Sequence, residues 1–364
     1  MTIFIVILVL LVASLYVFLQ QEQFGKRPSG ARLARIKNSP NFKNNSFQNL
    51  SFTPDLTEGV SMFSVLKEFL FNKNEFKKPS QVIPSTKTNL KELNPEENIV
   101  VWFGHSSYFI QIDGKKILVD PVLSPTASPV SFTTKAFEGT NIYTTDDFPE
   151  IDYLFISHDH WDHLDYQTIK KLKPKIQKVI TGLGTGAHFE HWGFDTQLIL
   201  EKDWHETVTL EDGFIVNTVP ARHFSGRSFK RNKALWLSFV LQTPSFKIFI
   251  GGDSGYDTHF AEIGKQFGPF DLAFLENGQY DKSWKYIHMM PEEVLQAATD
   301  LKTKALFPVH SSKFTLANHN WEEPLSKISE LAQSSEIQLI TPIIGEKTDI
   351  NTKKIFVKWW EFSI

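Results

Sequence analysis

The chain opens with an apolar run, passes through a polar stretch, and from Asn98 settles into short apolar segments divided by turns. Ile3 to Leu19 reads IFIVILVLLVASLYVFL, without a charged residue. As a helix it spans about 26 Å at ~1.5 Å per residue, close to a hydrocarbon core of about 30 Å. A cleaved signal peptide is the rival reading, with a basic n-region, an h-region of roughly 7–15 residues and a small-x-small cleavage site. No Lys or Arg precedes this run and no Ala-x-Ala follows it. Residues 1–20 are therefore expected to form an uncleaved single-pass membrane anchor. Lys26, Arg27, Arg32, Arg35 and Lys37 follow the run. The positive-inside rule then puts the rest of the chain on the cytoplasmic side.

Residues 21–97 read as a connector and N-terminal extension, rich in Asn, Ser, Pro and Lys. Within it Phe63–Phe71 (FSVLKEFLF) predicts a short amphipathic helix that packs on the main domain or lies on lipid, with packing favoured. No internal repeat appears at solenoid periods.

Residues 98–364 carry the pattern of a catalytic domain. Asn98–Phe103, Tyr108–Ile112 and Lys116–Val119 predict successive strands, with Asp113-Gly114 as a hairpin turn. Further strands are expected at Ile151–Ile156, Phe214–Val219, Leu235–Leu241, Phe246–Ile250, Leu272–Leu275 and Leu306–Val309. Helices are expected at Tyr166–Leu172, Pro291–Leu301 and Pro324–Leu331, the second opened by a Pro followed by two Glu. Strands alternating with helices imply α/β layers, with sheets sandwiched between helices.

Composition narrows the chemistry. The chain has 364 residues, 41% hydrophobic and 22% charged, with 32 Phe and 9 Trp to fill a large core. A net charge of −3 gives no sign of a nucleic-acid partner. Cysteine is absent. That excludes disulfides, thiolate metal sites and a Cys nucleophile, so any transition metal must be held by His and carboxylate.

Ser157-His158-Asp159-His160-Trp161-Asp162-His163 directly follows the strand Ile151–Ile156. A turn can aim His158, His160, Asp162 and His163 at one small volume. Four chelating groups exceed what one open catalytic ion needs, which points to two ions. His223, Asp253 (in GGDSG) and His310 each stand just past an apolar strand. A lone His is more often structural, but the shared strand-end position argues for ligands.

HxHxDH, then a His, an Asp in a Gly-Asp pair and a final His, resembles the metallo-β-lactamase superfamily. The resemblance runs from about Asn98 to Leu331 and implies the αββα sandwich fold with two Zn2+ ions per subunit. It assigns His158, His160 and His223 to one zinc and Asp162, His163 and His310 to the other, with Asp253 bridging. VWFGHSSYFIQIDG, DPVLSPTASP, SHDHWDHLDY, GDSGYDTHFAEIGKQFGPFDLA and MPEEV further resemble the N-acylphosphatidylethanolamine-hydrolysing phospholipase D branch. Trp161 departs from that branch, whose animal members carry Tyr there. So does the N-terminal span, which they lack.

The resemblance implies hydrolysis of an N-acylated phospholipid. A hydroxide held between two zincs about 3.5–4 Å apart would attack phosphorus in line, with Asp162 and Asp253 orienting it. Asp120 and Asp159 are candidates to fix the histidine tautomers. His288, in YIHMMPEE, is the candidate to assist the leaving group or to contact phosphate. Arg222 and Arg227 are candidates for phosphate contact, while Trp161, Tyr166 and Trp284 are candidates for the pocket wall. A hydrogen-bonded structural role is favoured for His105. The expected partner is a membrane phospholipid, and a homodimer is left open. The competing functions are a tethered hydrolase of small substrates, such as lactones or β-lactams, and a scaffold with a vestigial site. A wide apolar groove beside the metals would separate lipid from metabolite.

Overall fold

The computed structural model describes residues 2–71 and 74–363. The apolar run forms α1 (Thr2–Leu19), a helix with no buried residue. It meets the length and hydropathy of a membrane span, though a signal sequence meets them too. Next come α2 (Gly30–Lys37), a short hairpin of β1 (Phe42–Lys43) and β2 (Ser46–Phe47), and α3 (Met62–Phe71). Much of this extension packs on the body, but α3 has no buried residue, against the packing expected for Phe63–Phe71. Ile36, Phe47 and Ile83 are fully buried in the main core, and Arg32 pairs with both Glu190 and Glu201.

Two seven-stranded sheets follow. The first holds β3 (Ile99–Trp102), β4 (Tyr108–Ile112), β5 (Lys115–Val119), β6 (Ile151–Ile156), β7 (Ile176–Gly182) and β8 (Ile199–Lys202), with helices α4 (Tyr166–Leu172) and α5 (Gly186–His191). The second holds β9 (Thr207–Thr209), β10 (Ile215–Val219), β11 (Ser238–Gln242), β12 (Lys247–Ile250), β13 (Leu272–Glu276), β14 (Ala305–Val309) and β15 (Gln338–Leu339). Its helices are α6 (His259–Gln266), α7 (Pro291–Asp300) and α8 (Glu323–Leu331), and β16 (Lys347–Asp349) returns to pair with β3 in the first sheet. In each sheet an antiparallel part passes into a parallel one, at β5–β8 and at β12–β15.

The period-two alternation of a strand divides the core into layers. On β4, Tyr108, Ile110 and Ile112 face the space between the sheets, and Phe109 faces the other way. Tyr108 stacks on Phe274 of the second sheet with ring centroids 4.2 Å apart, and Phe155 meets Phe239 edge-on at 4.8 Å. Outside the first sheet, Ile169 and Leu172 of α4 and Phe189 of α5 cover Phe109, Leu154 and Val179. Outside the second, Phe260, Val294, Ala297 and Ile328 of α6–α8 cover Phe249, Ala273 and Leu306. The layers are therefore α, β, β, α. Each fully buried Phe contributes roughly 1.5–3 kcal/mol through removal of apolar surface from water.

The expected strand Leu235–Leu241 begins later, at Ser238. Before that point its amides turn to the first sheet, Leu235 N donating to Leu183 O and Leu237 N to Ser157 O. Those residues are a bridge between sheets, buried at both ends, which apolar patterning reads as strand. Ile176–Gly182, by contrast, is a parallel strand whose adjacent Gln177 and Lys178 interrupt the apolar run and hid it.

Candidate metal centre

The parallel strands β6, β12 and β14 all deliver their C-terminal ends to one edge of the sandwich. Open α/β sheets place their sites on that edge. After β6, the turn His158–His163 closes through Leu164 N donating to His160 O at 2.8 Å. Asp253 follows β12 and His310 follows β14 directly, while His223 lies in the loop after β10.

These side chains converge in two groups that share no residue, linked by a third made of Asp253, His288 and His310. His158, His160, His223 and Asp253 bring one potential ligand atom each within 4.8 Å of one another, and so do His105, Asp162, His163 and His310. His158 Nε2 and His160 Nδ1 stand 2.9 Å apart, and His223 Nε2 lies 3.3 Å from the same His160 nitrogen. Asp253 lies between the groups: its Oδ2 is 3.7 Å from His158 and His223 Nε2 and 3.2 Å from His163 Nε2, and its Oδ1 is 3.1 Å from His310 Nδ1.

The opposite ring nitrogens are tied down. Asp120 Oδ2 accepts from His163 Nδ1 at 2.8 Å and from Ser157 Oγ at 2.6 Å. Ser157 Oγ in turn lies 3.0 Å from His158 Nδ1. His223 Nδ1 donates to Ile287 O at 2.9 Å. With those protons placed outward, the Nε2 lone pairs of His158, His163 and His223 point into the site. His163 Nε2, His310 Nε2 and Asp253 Oδ1 are buried without a hydrogen-bond partner. Buried polar atoms are almost always paired, so converging lone pairs of this kind fit cations. Burial, reinforced by neighbouring histidines, pulls the basicity of His158, His223 and His310 far down. Burial opposes charge on His163 as well, but Asp253, Asp162 and Asp120 around it raise its pKa well above the usual value. Burial likewise pushes Asp253 up to about 6.

Backbone strain accompanies the site. His105, Asp120 and His310 all adopt left-handed φ, at 53°, 39° and 68°. Such residues cost on the order of 1–3 kcal/mol each and concentrate at functional positions.

Beside the two groups lies a cavity of about 330 Å³ bordered by His160, Asp162, His223, Asp253, His288 and His310. Its far wall is apolar: Leu56, Met62, Val65, Trp284, Ile287 and Leu316. His288 is held by its Nδ1, 2.7 Å from Glu276 Oε2, and Glu276 also accepts from Met289 N at 2.6 Å. Burial raises the Glu276 carboxyl well above its usual range.

Not every candidate is here. Arg222 is corrected: its guanidinium donates to Thr53 Oγ1, Tyr256 O and Phe52 O, pinning the extension to the body. The arginine at the cavity is Arg231, paired with Asp55 at 2.6 Å. Arg227 is buried and donates to the carbonyls of Asp159, Leu164 and Gln23. Trp161 lies under that guanidinium at 4.0 Å, against Phe24, and does not border the cavity. Tyr166 bonds Glu22 and packs on Trp192. All three face the segment that follows α1, through Gln23, Phe24 and Glu22 respectively. Asp159, buried, accepts from Gly226 N and faces His188 Nε2 at 3.3 Å. His105 Nε2 bonds Asp162 Oδ2 at 2.9 Å. Ser106, whose Oγ lies 2.8 Å from His310 Nδ1, and Glu276 were not anticipated. A carboxylate closing an otherwise apolar strand, as in LAFLE, was the available signal for Glu276.

A family model described as a beta-lactamase superfamily domain matches residues 115–311. An uncharacterised protein of Mycobacterium tuberculosis is 34% identical over 340 residues, 91% of this chain and 91% of its own length. The N-acyl-phosphatidylethanolamine-hydrolyzing phospholipase D 1 of Caenorhabditis elegans is 26% identical over 328 residues, 83% of this chain and 89% of that protein. Among solved structures, the metallo hydrolase Igni18 of Ignicoccus hospitalis superposes with a TM-score of 0.52 at 21% identity, covering 70% of this chain and 100% of that one. That likeness is one of fold.

Proposed function

We propose, from the premise that this chain belongs to the β-lactamase superfamily, that it is a dizinc phosphodiesterase acting on N-acylphosphatidylethanolamine-type phospholipids. The products would be an N-acylethanolamine and a phosphatidic acid. The observation that carries the reading is the apolar wall opposite the histidines. Met62 and Val65 of α3 border the cavity, while Phe63, Leu66, Leu70 and Phe71 of the same helix are more than half exposed. An apolar surface running from the site to the outside suits acyl chains better than a small polar metabolite. The relationship to the nematode phospholipase D supports the same substrate class.

His158, His160 and His223 would hold one ion and Asp162, His163 and His310 the other, with Asp253 reaching both. Nitrogen and carboxylate donors of this kind suit zinc. The ions, when bound, supply Lewis acidity toward phosphoryl oxygens and an activated water. Asp120 and Ser157 hold the tautomers that keep the ligand nitrogens aimed inward. Asp162, bonded by His105, is fixed in direction. His288 presents Nε2 to the cavity beside Asp253 and serves the departing oxygen. Arg231 at the rim offers charge to the substrate phosphate. The apolar wall excludes water from the acyl side. α1 would tether this body to the bilayer that holds the substrate.

The test is purified full-length protein, metal analysis, and a panel of N-acylated phospholipids set against lactones and β-lactams. Release of N-acylethanolamine with two zinc ions per chain is expected. Lactone turnover without lipid turnover would overturn the substrate class.

A further inference from the structure

A second cavity, of about 460 Å³, lies where α1 joins the globular body, and it shares no lining residue with the catalytic one. Its walls include Leu19 of α1, Lys26 and Arg27 just beyond the helix, and Lys230 and Lys233 from the loop after β10. Among the described residues, Lys26, Arg27 and Lys230 reach no carboxylate at ion-pair distance, and Lys233 donates to the carbonyl of Asn45. The carboxylate in the lining, Asp159, is already engaged by Gly226 N and His188. Five cations, Arg227 among them, therefore line one hollow against the single carboxylate Asp159.

The position of the hollow specifies the anion. The 18 residues of α1 extend about 27 Å, so a helix crossing the hydrocarbon ends at the headgroup layer. Tyr16 and Phe229, which also line the hollow, are 66% and 80% exposed. Exposed aromatics beside a span are characteristic of that interfacial layer. With α1 taken as a span, the hollow opens at phosphate depth, apolar toward α1 and cationic toward the body.

We propose that this cavity binds the phosphate headgroup of an anionic phospholipid, its acyl chains lying along α1. This rests on reading α1 as a membrane span. The site borders the metal turn: Arg227, in its lining, grips the carbonyls of Asp159 and Leu164 on either side of His160–His163.

The experiment uses the full chain in detergent, observed by native mass spectrometry with phosphatidylglycerol or phosphatidylcholine added. One retained phosphatidylglycerol per chain is expected, well above phosphatidylcholine. The double variant R27Q/K230Q should bind it about thirtyfold more weakly, because each basic residue near an anionic surface contributes roughly a factor of five. The charge-conserving control R27K should retain it, and matching thermal melts show that both variants fold. Equal occupancy by the two lipids, or an unchanged double variant, overturns the proposal. So does displacement of the lipid by water-soluble glycerol phosphate, which would mark a site for soluble anions. Alkaline carbonate extraction separates the premise from the proposal. Release of the intact chain sinks the span and the site together, whereas a retained chain without lipid preference sinks the site alone.

Discussion

Asp120 holds His163 from behind, its Oδ2 2.8 Å from the histidine Nδ1. The same carboxylate reaches His158 through the Ser157 hydroxyl, so one buried acid orients a histidine of each ligand group. Asp120→Asn keeps the size but can present an N–H where an acceptor is required. Metal affinity should fall by about 10–100-fold, read by competition with a chromogenic chelator. An unchanged affinity, with the fold intact by circular dichroism, would refute the orienting role.

His288 and Glu276 form a pair on the cavity side of the centre. Both His288→Gln and Glu276→Gln should lower kcat by roughly 10²-fold or more. Metal content should stay at the parent level, since neither belongs to the two main ligand groups. Loss of metal in either variant would instead make the pair part of the metal shell.

Gly255 has no room for a side chain: a Cβ there would lie 2.0 Å from Tyr286 O and 3.0 Å from Ile287 N. Ile287 O is the acceptor for His223 Nδ1. Gly255→Ala should therefore destabilise the fold by about 1–3 kcal/mol and weaken metal binding through His223. Denaturant midpoints and metal titration check the two effects separately.

Arg227 satisfies three backbone carbonyls from a buried position. Arg227→Lys cannot span them with a single ammonium. The variant should lose stability and metal affinity while KM for the metal-saturated enzyme stays close to the parent value. A raised KM with normal stability would return this residue to a phosphate-binding role.

Lys313 is buried, its Nζ donating to Phe103 O at 3.1 Å and Val122 O at 2.9 Å. Burial pulls its pKa down to about 7, against about 10.4 in an unfolded chain. Between those values the unfolded chain binds more protons, so this residue makes stability rise with pH across the window. Lys313→Met should flatten that rise. Urea midpoints of parent and variant at pH 7 and pH 9 measure it, and parallel slopes would exclude the effect.

Local pattern carried much of this protein. Alternation and apolar runs located β4, β6, β10 and β14, and the crowded turn His158–His163 announced a cation site because no other use explains so many chelators in so short a span. Strand-end position pointed to His223, Asp253 and His310, since the first residues past a buried strand emerge at the sheet edge. Ile176–Gly182 escaped because its adjacent Gln177 and Lys178 break the apolar run. What the chain alone could not supply was direction. Whether Arg222, Trp161 and Tyr166 face the metals or the extension depends on how Glu22–Phe24 and Phe52–Thr53 fold back over the body, contacts between residues more than a hundred positions apart. The same holds for the basic hollow beneath α1. Residue type and spacing specify which groups can do chemistry, while long-range packing settles which of their atoms meet.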